Sequence, residues 1–132
     1  MSFKNFTSPD LVAEKYNLIL KREAPFDYKT VSAIQPPVSL QQDLDFELRH
    51  HPYSMNEQTL CESLIYPLLR EVWKSHLSLQ IWSHLTLQVD DELAGIPDYL
   101  VSKKSPRGLT KLEIPLMAVI EAKQENFAAG WG

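Results

Sequence analysis

The feature that most constrains this chain is the run Leu116-Met117-Ala118-Val119-Ile120, which ends abruptly in Glu121-Ala122-Lys123. A short, continuous apolar run bounded by polar residues is the pattern of a strand covered on both faces. Side chains alternate along a strand, so Glu121 and Lys123 project to one side and Ala122 to the other. A carboxylate and an ammonium therefore share one strand end. Such a pair is costly beside an apolar run unless it binds something. A hard divalent cation on the oxygens and a phosphate near the lysine are its natural ligands.

Upstream, Gly95-Ile96-Pro97-Asp98-Tyr99 opens a second apolar segment, expected as a strand over 96–101. Pro97-Asp98 followed by Glu121-Ala122-Lys123 resembles the signature of the PD-(D/E)XK nuclease superfamily. That signature places an Asp on one strand, then an acidic residue, an apolar residue and a Lys on the next. Residues 98 and 121 lie 23 positions apart (121 − 98), room for a hairpin with a long loop. The letters are also met by Pro9-Asp10 with Asp27-Tyr28-Lys29, and context separates the two matches. Ser8-Pro9-Asp10 looks like a helix start, with Ser8 as cap and Pro9 at the first helical position of a helix over about 9–20. Asp27-Tyr28-Lys29 sits between Pro25 and Pro36-Pro37, without the β-branched run of a central strand.

The chain's 132 residues fit one domain, and 44% hydrophobic content with 10% aromatic is enough for a packed core. No apolar run is long enough to span a bilayer, and Met1 to Phe6 lack a signal-peptide core, so a cytoplasmic location is expected. The single Cys61 cannot form an internal disulfide and is expected to be buried in a helix. A net charge of −4 argues against a dedicated nucleic-acid-binding surface. Lys103, Lys104, Arg107 and Lys111 nevertheless fall together after the Asp98 strand with no acidic residue between them. They serve either a phosphate backbone or a solvated loop.

The best helix signal is Ser54-Met55-Asn56-Glu57, a capping box with Ser54 as the cap. Cys61, Leu64, Ile65, Leu68, Leu69 and Val72 follow at helical spacing, and Pro67 should kink the helix. At about 100° per residue, Glu57 lies within roughly 50° of the stripe's centre and Glu62 about 90° away, so Glu57 points more nearly inward. Segments 77–82 and 85–89 alternate as strands, and Asp90-Asp91-Glu92 reads as a polar hairpin turn, without the remaining ligands of a calcium loop. The stretch Asp43 to Leu48 fits a strand or a helix running to His50. His50-His51 diverge on either element and read as surface residues. Ser75-His76 and Ser83-His84 are neighbours in sequence only, which does not make a serine triad. No repeat, Gly-rich phosphate loop or zinc spacing occurs.

Asn56-Glu57 with Leu64-Ile65-Tyr66-Pro67-Leu68-Leu69 resembles the leading helix of restriction-enzyme-like members. The resemblance implies an α/β (α+β) domain with a mixed sheet, a restriction-endonuclease-like core over 51–132 and an N-terminal accessory extension over 1–50. It implies a Mg²⁺- or Mn²⁺-dependent nuclease acting on nucleic acid, DNA ahead of RNA. Asp98, Glu121 and the Ala122 carbonyl would hold the ion, Lys123 would act on the attacking water or the developing charge, and Glu57 would join them. The family continues past the Lys with a helix and a closing strand, whereas this chain stops at Gly132. The expectation is therefore a shortened core, a sheet completed by another chain, or one completed by the N-terminal region, and an open sheet edge favours a homodimer. The competing expectation is a binding or assembly module that keeps the fold and cleaves nothing.

Overall fold

The structure, a computed structural model, describes residues 7–24, 26–51 and 56–123. They belong to two compact units, one from Met1–Gln35 with Thr86–Gly95 and the other from Pro36–Leu85 with Ile96–Gly132. Among the described residues, no helix is long and apolar enough to cross a membrane.

The second unit carries the sheet. The segment that fits either element is a helix, α2 (Val38–His50), which starts after Pro37 and is braced by Arg49 on Asp45 at 2.9 Å, one turn apart. His51 pairs with Glu47 on the same helix. The next helix begins at α3 (Glu57–Leu60), passes through a π turn (Cys61–Ile65) and continues as α4 (Tyr66–Ser75). Pro67 is the cause of the widening. It has no N–H to give the preceding turn, and the Tyr66 N–H reaches back five residues to the Cys61 carbonyl. The expected kink is thus absorbed as a π turn just before the proline.

Three strands form one sheet in the order β1 (Leu79–Ser83), β4 (Tyr99–Lys103), β5 (Ala118–Ile120). Both pairings are antiparallel, with Ser83 opposite Tyr99 and Tyr99 opposite Ile120. The class is α+β as expected, but the expected mixed sheet is antiparallel among the described residues. A parallel neighbour needs a crossover, usually a helix, and neither connection between these strands contains one.

Two strand expectations need correction. The second strand starts at Tyr99 and not at 96, because Pro97 has no N–H for a ladder and the Asp98 carbonyl is taken by the His84 N–H at 3.0 Å. The apolar run of 116–120 is not covered on both faces. Pairing is confined to Ala118–Ile120 at the sheet's edge, and Met117 and Val119 are 56% and 52% exposed. A continuous apolar run does not by itself distinguish a central strand from an edge.

The helix packs on the sheet face that carries Ile81, Tyr99 and Ile120. Cys61, Tyr99 and Ala122 are buried there against Leu60, Ile65, Tyr66 and Leu69. The Tyr99 hydroxyl donates to the Cys61 carbonyl at 3.2 Å, and its ring stacks on Tyr66 at 6.0 Å. Burial, then the neighbouring Cys61, pushes the Tyr99 phenol up to about 12. On the opposite face Leu100 and Ser102 are fully buried, and Trp82 Nε1–H donates to Ser102 Oγ at 3.0 Å.

The other unit holds α1 (Pro9–Tyr16) and a hairpin of β2 (Leu87–Gln88) with β3 (Ala94–Gly95). Ser8 caps α1 as expected, but the helix stops at Tyr16, short of residue 20, because Asn17 turns left-handed at φ 51 and closes it. Asp10 lies in the first turn of α1, and Asp27 caps a single 3₁₀ turn over Tyr28–Thr30. The second match to the nuclease letters therefore lies on helical elements. Asp90 makes the hairpin turn, its carboxylate accepting from the Glu92 and Leu93 N–H groups at 2.8 and 2.7 Å.

Candidate functional site

The site is built around Asp98, just before β4. Its side chain is 18% exposed, and its Oδ2 accepts the Ala122 N–H at 2.7 Å across 24 positions of sequence. That bond joins Pro97-Asp98 to the centre of Glu121-Ala122-Lys123. Tyr99 faces Ile120 in the ladder, so one further step of the same register sets Asp98 opposite Glu121. Ala122 is buried in the core, whereas Glu121 and Lys123 are exposed and face each other at 4.0 Å between Oε2 and Nζ. The alternation expected for Glu-Ala-Lys is present.

Asp98 has a second partner that sequence reading passed over. His84 Nε2 lies 3.6 Å from Asp98 Oδ1, and its Nδ1 lies 2.8 Å from Ser83 Oγ. The only signal in the sequence was Ser83-His84 at the end of a strand, set aside because adjacency makes no triad. What places His84 is the register of β1 on β4, which no local pattern reveals.

Glu57 is the first residue of α3 and is exposed. Ser54 lies outside the described residues, and the cap is Asn56, whose Oδ1 accepts the Thr59 N–H at 2.8 Å. Glu57 therefore sits two positions nearer the helix start than the expected capping box puts it. Burial pushes the Cys61 thiol up, and the charges of Asp98 and then Glu57 push it the same way. One thiol thus senses both carboxylates. Glu62 accepts from Gln58 Nε2 at 3.1 Å on the exposed helix surface.

The basic residues are elsewhere. Lys103 ends β4, so at about 3.3 Å per residue it stands roughly 16 Å along the strand from Asp98. Lys104 follows, its N–H on the Ser78 carbonyl at 2.8 Å, and the loop then turns through Gly108 at φ 68. The buried Ser105 holds this turn, taking the Arg107 N–H on Oγ at 3.3 Å and the Gly108 N–H on its carbonyl at 3.0 Å. The side chains of Lys103, Lys104, Arg107 and Lys111 are exposed.

Among the described residues no group of three or more His, Cys, Asp or Glu side chains could hold a metal ion. That donor count speaks against a zinc-type site, which needs three or four protein ligands. Mg²⁺ is less demanding, since it keeps several waters and takes one or two carboxylates. A carboxylate has about four lone-pair positions, and Ala122 and His84 face two of those on Asp98. Asp98 and the exposed Glu121, opposite one another when the β4–β5 register is extended by one step, are two carboxylates of that kind. No protein-family model, curated protein or solved structure matches this chain.

Proposed function

We propose that this chain is a Mg²⁺- or Mn²⁺-dependent phosphodiester hydrolase acting on nucleic acid, with DNA ahead of RNA, built on a restriction-endonuclease-like core. The observation that carries the reading is the 2.7 Å hydrogen bond from the Ala122 N–H to Asp98 Oδ2. It unites the two halves of a signature that the sequence keeps far apart. The element order gives further support, a leading helix with Glu57 at its start and then three antiparallel strands.

In this reading Asp98 and Glu121 would hold the ion, with the Ala122 carbonyl as a third oxygen. When bound, the ion polarises the phosphodiester and lowers the pKa of an attacking water. Lys123, beside Glu121, orients that water and offsets the charge that develops on the phosphate. Glu57 adds a carboxylate from the helix side. The four cations at the end of β4 and in the loop after it contact the phosphate backbone at a distance from the cut.

The test is titration calorimetry with Mg²⁺ and Mn²⁺ on wild type, Asp98→Ala and Glu121→Ala, followed by plasmid nicking. Binding and nicking by wild type, with both lost in each variant, are the expected results. A folded wild type that neither binds the ions nor nicks DNA or RNA overturns the reading in favour of a non-catalytic binding module.

A further inference from the structure

Only two non-glycine residues among those described have a positive φ, Asn17 and His84, both at φ 51. Asn17 closes a helix, an ordinary use of that conformation. His84 closes none. A left-handed residue outside a cap persists only where its surroundings hold it, and such residues gather at functional sites. The surroundings of His84 are the two ends of Asp98. Its N–H donates to the Asp98 carbonyl at 3.0 Å, and its ring turns back so that Nε2 faces Asp98 Oδ1 at 3.6 Å. Ser83 Oγ lies 2.8 Å from Nδ1, and the Tyr99 ring stands edge-on to the imidazole at 6.2 Å.

Asp98 is thereby bracketed. Oδ2 is held by the main chain just past β5 and Oδ1 faces a ring at the end of β1. A carboxylate gripped at one oxygen can still swing about its Cβ–Cγ bond, whereas a ring facing the other oxygen narrows that swing. We propose that His84 is a positioning residue for Asp98, holding its carboxylate in the orientation that receives the divalent cation. The inference rests on the metal-site reading and deepens it. Partners of this kind, one shell out from an ion, change metal affinity by about 10–100-fold when removed.

The experiment uses the whole chain and two readouts. The first needs no metal: the amide proton of Ala122, hydrogen-bonded to a carboxylate, reports the orientation of Asp98 in NMR spectra. The second is Mn²⁺ affinity by calorimetry. His84→Gly keeps the left-handed backbone and removes the ring, and His84→Gln restores a side-chain N–H near the position of Nε2. In His84→Gly the Ala122 resonance should move and Mn²⁺ should bind about 10–100-fold more weakly, with most of both effects recovered in His84→Gln. Ser83→Ala, which frees the ring while leaving the main chain intact, should give a smaller loss of the same kind and serves if the glycine variant fails to fold. An unmoved Ala122 resonance and wild-type Mn²⁺ affinity in His84→Gly, while Asp98→Ala binds no ion, overturn the positioning role alone. Equal losses in the glycine and glutamine variants overturn it too. A wild type that binds no Mn²⁺ overturns the metal reading and this inference with it.

Discussion

The two ends of β4 are built in opposite ways. At the Tyr99 end Asp98 is tied to two other segments, its carboxylate by the Ala122 N–H and its main-chain carbonyl by the His84 N–H, beside a buried tyrosine and a buried thiol. At the Lys103 end four cations project into water, while main-chain groups and the buried Ser102 and Ser105 are fixed. Charge at the first end has been ordered at the expense of solvation, and charge at the second has not. An ordered charge serves a reaction that tolerates one geometry, and solvated charges serve attraction at many geometries.

Mutations that separate strand, site and surface put that contrast at risk. The largest effect belongs to the strand itself: Leu100→Ala empties a fully buried position and should cost about 2–5 kcal/mol in urea unfolding. Asp98→Ala comes next at about 1–3 kcal/mol, because the Ala122 N–H loses a charged acceptor. Glu121→Ala, at an exposed position, should move the same urea midpoint by less than about 0.5 kcal/mol. Equal costs for the two acids would erase the distinction between a held and a free carboxylate.

Tyr99→Phe sharpens the comparison through pH. The fold raises the phenol from 10.0 to about 12, favouring its neutral form. The stability contributed is complete below pH 10.0 and is lost as pH rises toward about 12. Wild type should therefore weaken across that window, by on the order of 1 kcal/mol more than the phenylalanine variant, when urea midpoints are compared pairwise. The smallest structural effect is expected at the far end of the strand. Replacing Lys103, Lys104, Arg107 and Lys111 with Gln should leave unfolding within about 0.5 kcal/mol. Under the proposed function, the salt dependence of duplex binding should flatten by up to about 0.9 in slope per contact removed. A large stability loss there would mean that those cations are structural.

Much of this architecture was legible from local chemistry. Ser8 and Pro9 start α1, Asp90 turns the hairpin, and Cys61 is buried on the helix stripe. Each depends on neighbours within a few residues, which is the range over which caps, turns and amphipathic stripes act. The misreadings share a cause of the opposite kind. The run at 116–120 looked fully covered because apolar letters do not say how many strands lie alongside. The helix cap moved from Ser54 to Asn56 because both residue types make good caps. Pro97-Asp98 and Glu121-Ala122-Lys123 could be paired as letters, but the bond between Asp98 and Ala122 depends on tertiary register. His84 was missed for the same reason.

The π turn at Cys61–Ile65 has one more consequence. A helix that takes an extra residue into one turn changes phase there, so the segments on either side are two rods joined with an angular offset of about 100°. Glu57 belongs to the first rod, while Tyr66 and Leu69 pack with the second. Removing one residue between 61 and 65 would leave every other side chain chemically intact and yet turn Glu57 by about 100° relative to the stripe of the second rod. The widened turn thus works as a phase shifter between two rods that both reach the core, the first through Leu60 and the second through Tyr66 and Leu69.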